Sequence, residues 1–163
     1  MPKDATSTRS NILAAAVQTL QRGGIEGFTL DAIARRAGVV QGLILYHYAS
    51  RGRLLKAAAS QIAAARSAAI ERALASAPGA GALDACWEEL RRQAEDGTAR
   101  AWLSLCAAGL IDRAARNVQF EEAARDAVID GSAIALAAGV PLADAKDAYD
   151  ALWLTLLEVT QKS

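Results

Sequence analysis

Residues 28–55 read FTLDAIARRAGVVQGLILYHYASRGRLL, two short helical patterns that meet at Gly38 and run into a cluster of aromatic and basic side chains. Thr29 can cap the first helix through its hydroxyl, and Asp31 in the first turn suits the positive end of the helix dipole. Ile33 and Ala37 share one face, while Ala34 is small enough to let a second helix cross closely. Gly38 can take the left-handed conformation that ends the first helix, with Val39 plugging the gap. A second helix, about Val40 to Tyr46, follows at once. Two helices joined by so tight a glycine turn make a helix-turn-helix.

Upstream, Thr8 to Arg22 carries Ile12, Leu13, Ala16, Val17 and Leu20 on one stripe and stops at Gly23-Gly24, which predicts a first helix. Ile25 and Phe28 then close the small core from the loop side. From Arg51 a long helix is expected to about Ala77, ended by Pro78-Gly79, with Leu54, Leu55, Ala58, Ile62, Ala65, Ala69 and Leu74 on a loosely continued apolar face. Further helices are expected over Leu83–Glu95, Arg100–Arg113, Val118–Ala138 and Leu142–Gln161, the last two separated by Gly139-Val140-Pro141. Apolar residues wrap most of Arg100–Arg113, so that helix should be buried centrally. Ala124, Val128, Gly131 and Ala135 form a stripe of small residues that permits close helix approach. Alanine dominates, aromatic residues are 5% and prolines number three, so the expected fold class is all-α.

The formal net charge is zero, but it is unevenly placed. Residues 1–56 carry eight Lys/Arg against three Asp/Glu, and residues 57–163 carry ten against fifteen. A basic end suits phosphate binding, and an acidic body discourages wrapping nucleic acid over the whole surface. No apolar run reaches the roughly 18–20 residues that cross a bilayer, and Ile12–Leu20 lacks the form of an export signal; a cytoplasmic location is expected. Cys86 and Cys106 are isolated and the chain has one histidine. Reduced thiols facing a core are expected, a redox-sensing pair being the alternative, with no metal site and no cofactor. Nothing pairs a nucleophile with a base or two carboxylates, so catalysis is not expected.

Taken together, the first helix, the IARRAGV turn, the Tyr46-His47-Tyr48 end and the Ser50-Arg51-x-x-Leu54 entry resemble the DNA-binding domain of the TetR family of transcriptional repressors. The resemblance covers about a third of the chain, and it implies a DNA-binding domain over residues 1–50 followed by an effector-binding and dimerisation body over 51–163. The second helix would then enter the major groove. Val40, Gln41, Leu43 and Leu45 or Tyr46 are within reach of base edges and phosphates, Gln41 being the best reader because its amide can both donate and accept at an adenine. Tyr46 and His47 are assigned to the phosphate backbone, Tyr48 to the core, and Thr29 offers its hydroxyl or amide to a phosphate. Arg51 stands where the family usually has a phosphate-binding lysine. Val40, Leu43 and Leu45 depart from the pattern, standing where similar proteins commonly carry Ser, Thr and Tyr; Leu43 can still touch a thymine methyl. Val40 cannot cap its helix, and Gly52 weakens the first turn of the helix that follows.

The resemblance further implies a homodimer formed by about 118–138 and 142–161 as a four-helix bundle, on a palindromic operator, released by a small-molecule effector. In the body, Trp87, Trp102, Cys106, Phe120, Tyr149 and Trp153 are large or soft side chains that suit an apolar ligand. The alternative expectation is a helical ligand-binding or protein-interaction module with weakened or lost DNA binding, for which the aliphatic Val40, Leu43 and Leu45 speak.

Overall fold

The computed structural model describes residues 3–111 and 120–160, with side chains for 6–111 and 125–157. Eight helices and no strand lie among the described residues: α1 (Lys3–Gly23), α2 (Leu30–Ala37), α3 (Gln41–Tyr48), α4 (Arg51–Ala75), α5 (Ala80–Glu95), α6 (Thr98–Ala107), α7 (Phe120–Ala137) and α8 (Leu142–Thr160). The chain forms two compact units, residues 1–67 with 100–112, and residues 68–99 with 113–163. The first unit is therefore larger than the expected reader over 1–50, because the opening turns of α4 and most of α6 belong to its packing.

In the first unit, Ile12, Ala16 and Leu20 of α1 meet Ile33 of α2, Ile44 of α3, Leu54 and Ala58 of α4, and Ala101 and Leu105 of α6 in one apolar cluster. Phe28 lies fully buried within it, as its loop position predicts. The expected α4 face holds through Ile62, but Ala65 is exposed and Arg66 is buried instead. The Arg66 guanidinium lies 4.7 Å from the Trp102 ring, where an aliphatic stem can cover apolar surface and its charge meets the ring face.

Helix α6 ends at Ala107, short of the expected end at Arg113. Gly109 takes φ 66°, and the Leu110 N–H donates back to the Leu105 carbonyl at 3.0 Å. Leu110 and Ile111, expected on the helix, instead fold against the first unit's core; Arg113 lies outside the described residues. The apolar spacing continues past the stop and hides the signal of the glycine.

The second unit packs α5, α7, α8 and the end of α4 around Ile70, Trp87, Leu90, Ile129, Tyr149 and Trp153. The rings of Trp87 and Tyr149 lie 5.2 Å apart and those of Tyr149 and Trp153 6.1 Å apart. The Tyr149 hydroxyl donates to the Leu83 carbonyl at 2.8 Å, and burial pushes its pKa well up. Of the small-residue stripe on α7, Val128 is buried within this unit, Ala135 is half-buried and Gly131 is exposed; the side chain of Ala124 lies outside the described residues. Between α5 and α8, Lys146 sits 2.6 Å from Asp150 and 3.3 Å from Asp84. No helix among the described residues is long and apolar enough to cross a membrane.

Candidate nucleic-acid interface

Helix α2 forms because its ends are satisfied. The Thr29 hydroxyl accepts from the Ala32 N–H at 3.2 Å, and at the other end Gly38 takes φ 67° and ψ 34°. The Val39 N–H donates to the Ala34 carbonyl at 3.0 Å, closing the turn as a Schellman-type cap. Two polar contacts fasten α2 to α1. Asn11 Nδ2 donates to the Ala37 carbonyl at 2.9 Å, and Arg36 Nη1 donates to Thr19 Oγ1 at 2.7 Å.

Helix α3 begins at Gln41 with Val40 extended at its N-cap and no side-chain hydrogen bond there, as an aliphatic cap dictates. One face of α3 is buried through Ile44 and Tyr48. The opposite face is open: Val40 is 74% exposed, Leu45 41% and Tyr46 81%, with Gln41 and Gly42 also exposed. Leu43 and His47 are half-buried flanks, so Leu43 stands back from the outermost surface expected of it. The ring of His47 meets that of Tyr46 edge-on at 5.2 Å.

A clamp from α1 holds the far end of α3. Arg9 Nη1 donates to the His47 carbonyl at 2.9 Å, where the negative end of the helix dipole favours a cation. The same guanidinium lies 4.6 Å from the Tyr48 ring, and the Tyr48 hydroxyl donates to the Arg9 carbonyl at 2.9 Å. Burial raises the Tyr48 pKa, opposed by Arg9, so the hydroxyl stays protonated and able to donate.

The turn into α4 is tight. Ala49 takes φ 61° and ψ −31°, and the Ser50 N–H donates to the Tyr48 carbonyl at 2.7 Å, a three-residue γ-turn of the strained hand. Ser50 Oγ then accepts from the Arg53 N–H at 3.1 Å, capping α4 at its N-terminus. Arg51, expected to serve a phosphate, is also tied to the protein. Its Nε donates to the Phe28 carbonyl at 2.7 Å, and its guanidinium lies 5.5 Å from the Phe28 ring, so the charge is held at a fixed place while the residue stays exposed. Arg35, Arg53 and Lys56 are exposed as well. Arg35 pairs with Asp31 at 2.9 Å with both side chains largely in solvent, a contact of little energetic weight.

Trp87, Tyr149 and Trp153 pack together in the second unit's core, whereas Trp102 and Cys106 belong to the first unit. The side chain of Phe120 lies outside the described residues. A hollow of about 690 Å³ in the second unit has Ala69, Ala73 and Ala85 along its floor and Arg72, Glu88, Glu89, Arg91, Arg92 and Glu95 around it. Its rim is ionic: Arg91 meets Glu88 at 2.7 Å and Arg92 meets Glu89 at 2.6 Å.

The parts played by Arg9 and Asn11 are invisible in the sequence pattern, since contacts across 38 and 26 residues leave no local trace. Gly42 is different, because a signal for it exists. It stands three and four residues before Leu45 and Tyr46, the spacing of a shared helix face.

Residues 12–58 match the family described as bacterial regulatory proteins, tetR family. Over 54 residues the chain is 37% identical to the HTH-type transcriptional regulator SrpR of Pseudomonas putida. It is likewise 37% identical over 54 residues to the HTH-type transcriptional regulator TtgW, also of Pseudomonas putida. The shared stretch spans 33% of this chain, 25% of SrpR and 40% of TtgW. Among solved structures, the chain is similar to the multidrug binding protein EbrR complexed with imidazole, at 25% identity and a TM-score of 0.58, over 91% of this chain and 88% of that one.

Proposed function

We propose, from the match of residues 12–58 to the family described as bacterial regulatory proteins, tetR family, that the chain is a homodimeric transcriptional repressor of that family. Residues 1–50 read a palindromic duplex operator, with α3 in the major groove. The observation that carries this reading is the open face of α3, Gln41, Leu45 and Tyr46, fixed in place by Arg9, with Arg35, Arg51, Arg53 and Lys56 exposed in the same unit. Val40 and Gln41 lie at the base-reading end, Tyr46 and His47 beside the phosphates, and Thr29 and Arg51 flank the groove.

Residues 51–163 dimerise and bind an effector. Leu142, Leu152, Leu154 and Leu157 of α8 and Ile134 of α7 are exposed large apolar side chains, and exposed apolar surface of this kind supports a helical interface between copies. A two-fold dimer sets its two α3 helices in successive major grooves, about 34–36 Å apart. EbrR is named for binding drugs, which supports a small apolar effector here, held by side chains among Trp87, Trp102, Cys106, Phe120, Tyr149 and Trp153. A ligand that favours one operator spacing over the other would release the DNA, and the protein acts in the cytoplasm.

Selection from a random duplex library tests the reading. The protein enriches one sequence with two-fold symmetry, and the selected duplex is released as salt rises. Enrichment of no sequence at low salt would leave the alternative, a helical interaction module.

A further inference from the structure

A recognition helix that works through hydrogen bonds needs polar side chains on its open face, and α3 offers there only the Gln41 amide and the Tyr46 hydroxyl. That face consists of Gln41, Gly42, Leu45 and Tyr46, with Val40 at its head. Gln41 and Leu45 are one turn apart, and so are Gly42 and Tyr46. Around Gly42 a Cβ would meet nothing within 4 Å, so the protein itself gives no steric reason for glycine there. A glycine on a helix that is exposed and unobstructed costs stability relative to alanine; what it offers in return is close approach of the backbone to another molecule.

We infer that α3 reads its operator chiefly through the C5-methyl groups of thymines, packed against Leu45 and Val40, with the backbone at Gly42 drawn close to the base edges. The inference rests on the proposed function of the first unit. Its occupant is duplex DNA because Arg35, Arg51, Arg53 and Lys56 are exposed in the same compact unit as this face, a charge that a phosphate backbone matches. Thymine is the base whose major-groove edge carries an apolar group. Its partner adenine presents the donor and acceptor that the Gln41 amide pairs with, so adjacent A·T pairs satisfy both chemistries of this face.

The test uses the full chain and the duplex selected from a random library, with each thymine replaced in turn by deoxyuridine. That exchange keeps pairing, charge and the O4 acceptor and removes only the methyl. Affinity is expected to fall about fourfold for each contacted methyl, at one position or more per half-site, with the salt dependence unchanged. Leu45→Ala should lose the discrimination between thymine and deoxyuridine at the positions that Leu45 contacts and keep it at those that Val40 contacts. Gly42→Ala should melt at a higher temperature than the parent and yet bind the duplex at least tenfold more weakly. Selective binding that is indifferent to every deoxyuridine would overturn the inference and leave the proposed function standing. Full affinity in Gly42→Ala would overturn the close approach. Failure to bind any duplex at low salt would overturn the proposed function and this inference with it.

Discussion

Ala49 is the residue on which the turn between α3 and α4 depends. Its φ of 61° is the single positive value at a non-glycine among the described residues, and a Cβ in that conformation crowds the neighbouring carbonyl at a cost of roughly 1–2 kcal/mol. Ala49→Gly relieves that crowding but loses more entropy on folding, roughly 0.5–1 kcal/mol. The net expectation is a gain of about 0.5 kcal/mol in urea unfolding, and a loss would contradict the strained turn. Arg51 behaves differently. Because Nε is bonded to the Phe28 carbonyl, Arg51→Ala should both lower stability by about 1 kcal/mol and weaken all duplexes alike, while Gln41→Ala should change sequence preference and leave stability alone. Equal, sequence-independent losses from the two variants, measured by competition binding, would refute that division. At this scale the sequence is readable wherever the cause is local: the Thr29 cap, the left-handed Gly38, the unsatisfied Val40 and the buried Tyr48. The Arg51 bond spans 23 residues, and no local pattern announces it.

Helix α3 is eight residues long, too short to be stable alone, and it is held as an element by what surrounds it. Ile44 anchors its middle and Tyr48 its end, while Arg9 closes the clamp over the last turn. Arg9→Gln removes the charge from the His47 carbonyl and from the Tyr48 ring; hydrogen bonds involving a charged group contribute roughly 1.5–3 kcal/mol, so a comparable loss is expected in thermal or urea unfolding. Unchanged stability would show that the clamp adds nothing. On α5, the hydrogen bond from Arg92 holds the Glu89 carboxyl below its ordinary value of 4.5. A group whose folded pKa is lowered stabilises the fold above its unfolded pKa and loses that contribution as pH falls through the folded value. Unfolding followed down from about pH 6 should therefore show a stability loss below about 4.5 that Glu89→Gln reduces; an identical acid profile in the variant would sink the assignment. Elements are legible where apolar spacing and a breaker coincide, as in α2, α3 and α5. Helix α6 reads too long in the sequence because Leu110 and Ile111 keep the helical spacing past Gly109, and they do so since the same core that buries α6 also buries the segment after it.

At the scale of the molecule, the basic first segment passes into the acidic remainder within α4, and α4 and α6 each contribute residues to both compact units. That division follows from packing between segments distant in sequence, which is why a boundary read from the motif falls near residue 50 while the first unit gathers residues up to 67 and a later stretch as well. Trp102 falls to the first unit and Trp87, Tyr149 and Trp153 to the second for the same reason: large side chains announce burial, but not which core receives them. The exposed leucines of α8 carry the dimer proposal. Leu154 is 63% exposed, so Leu154→Glu should leave the helical content of the protomer intact while shifting the mass in native mass spectrometry from dimer to monomer. A dimer that survives this change would place the interface elsewhere.

On the proposed reading, the open face of α3, held by Arg9 of α1, meets duplex DNA. Fluorescence anisotropy with the selected duplex and a scrambled one of equal length, each at about 50 and 200 mM salt, tests it most directly. The selected duplex should bind at least about 10³-fold more tightly than the scrambled one, and both affinities should fall steeply with salt as counterions are released. Equal affinity for the two duplexes, or no binding at the lower salt, would contradict it.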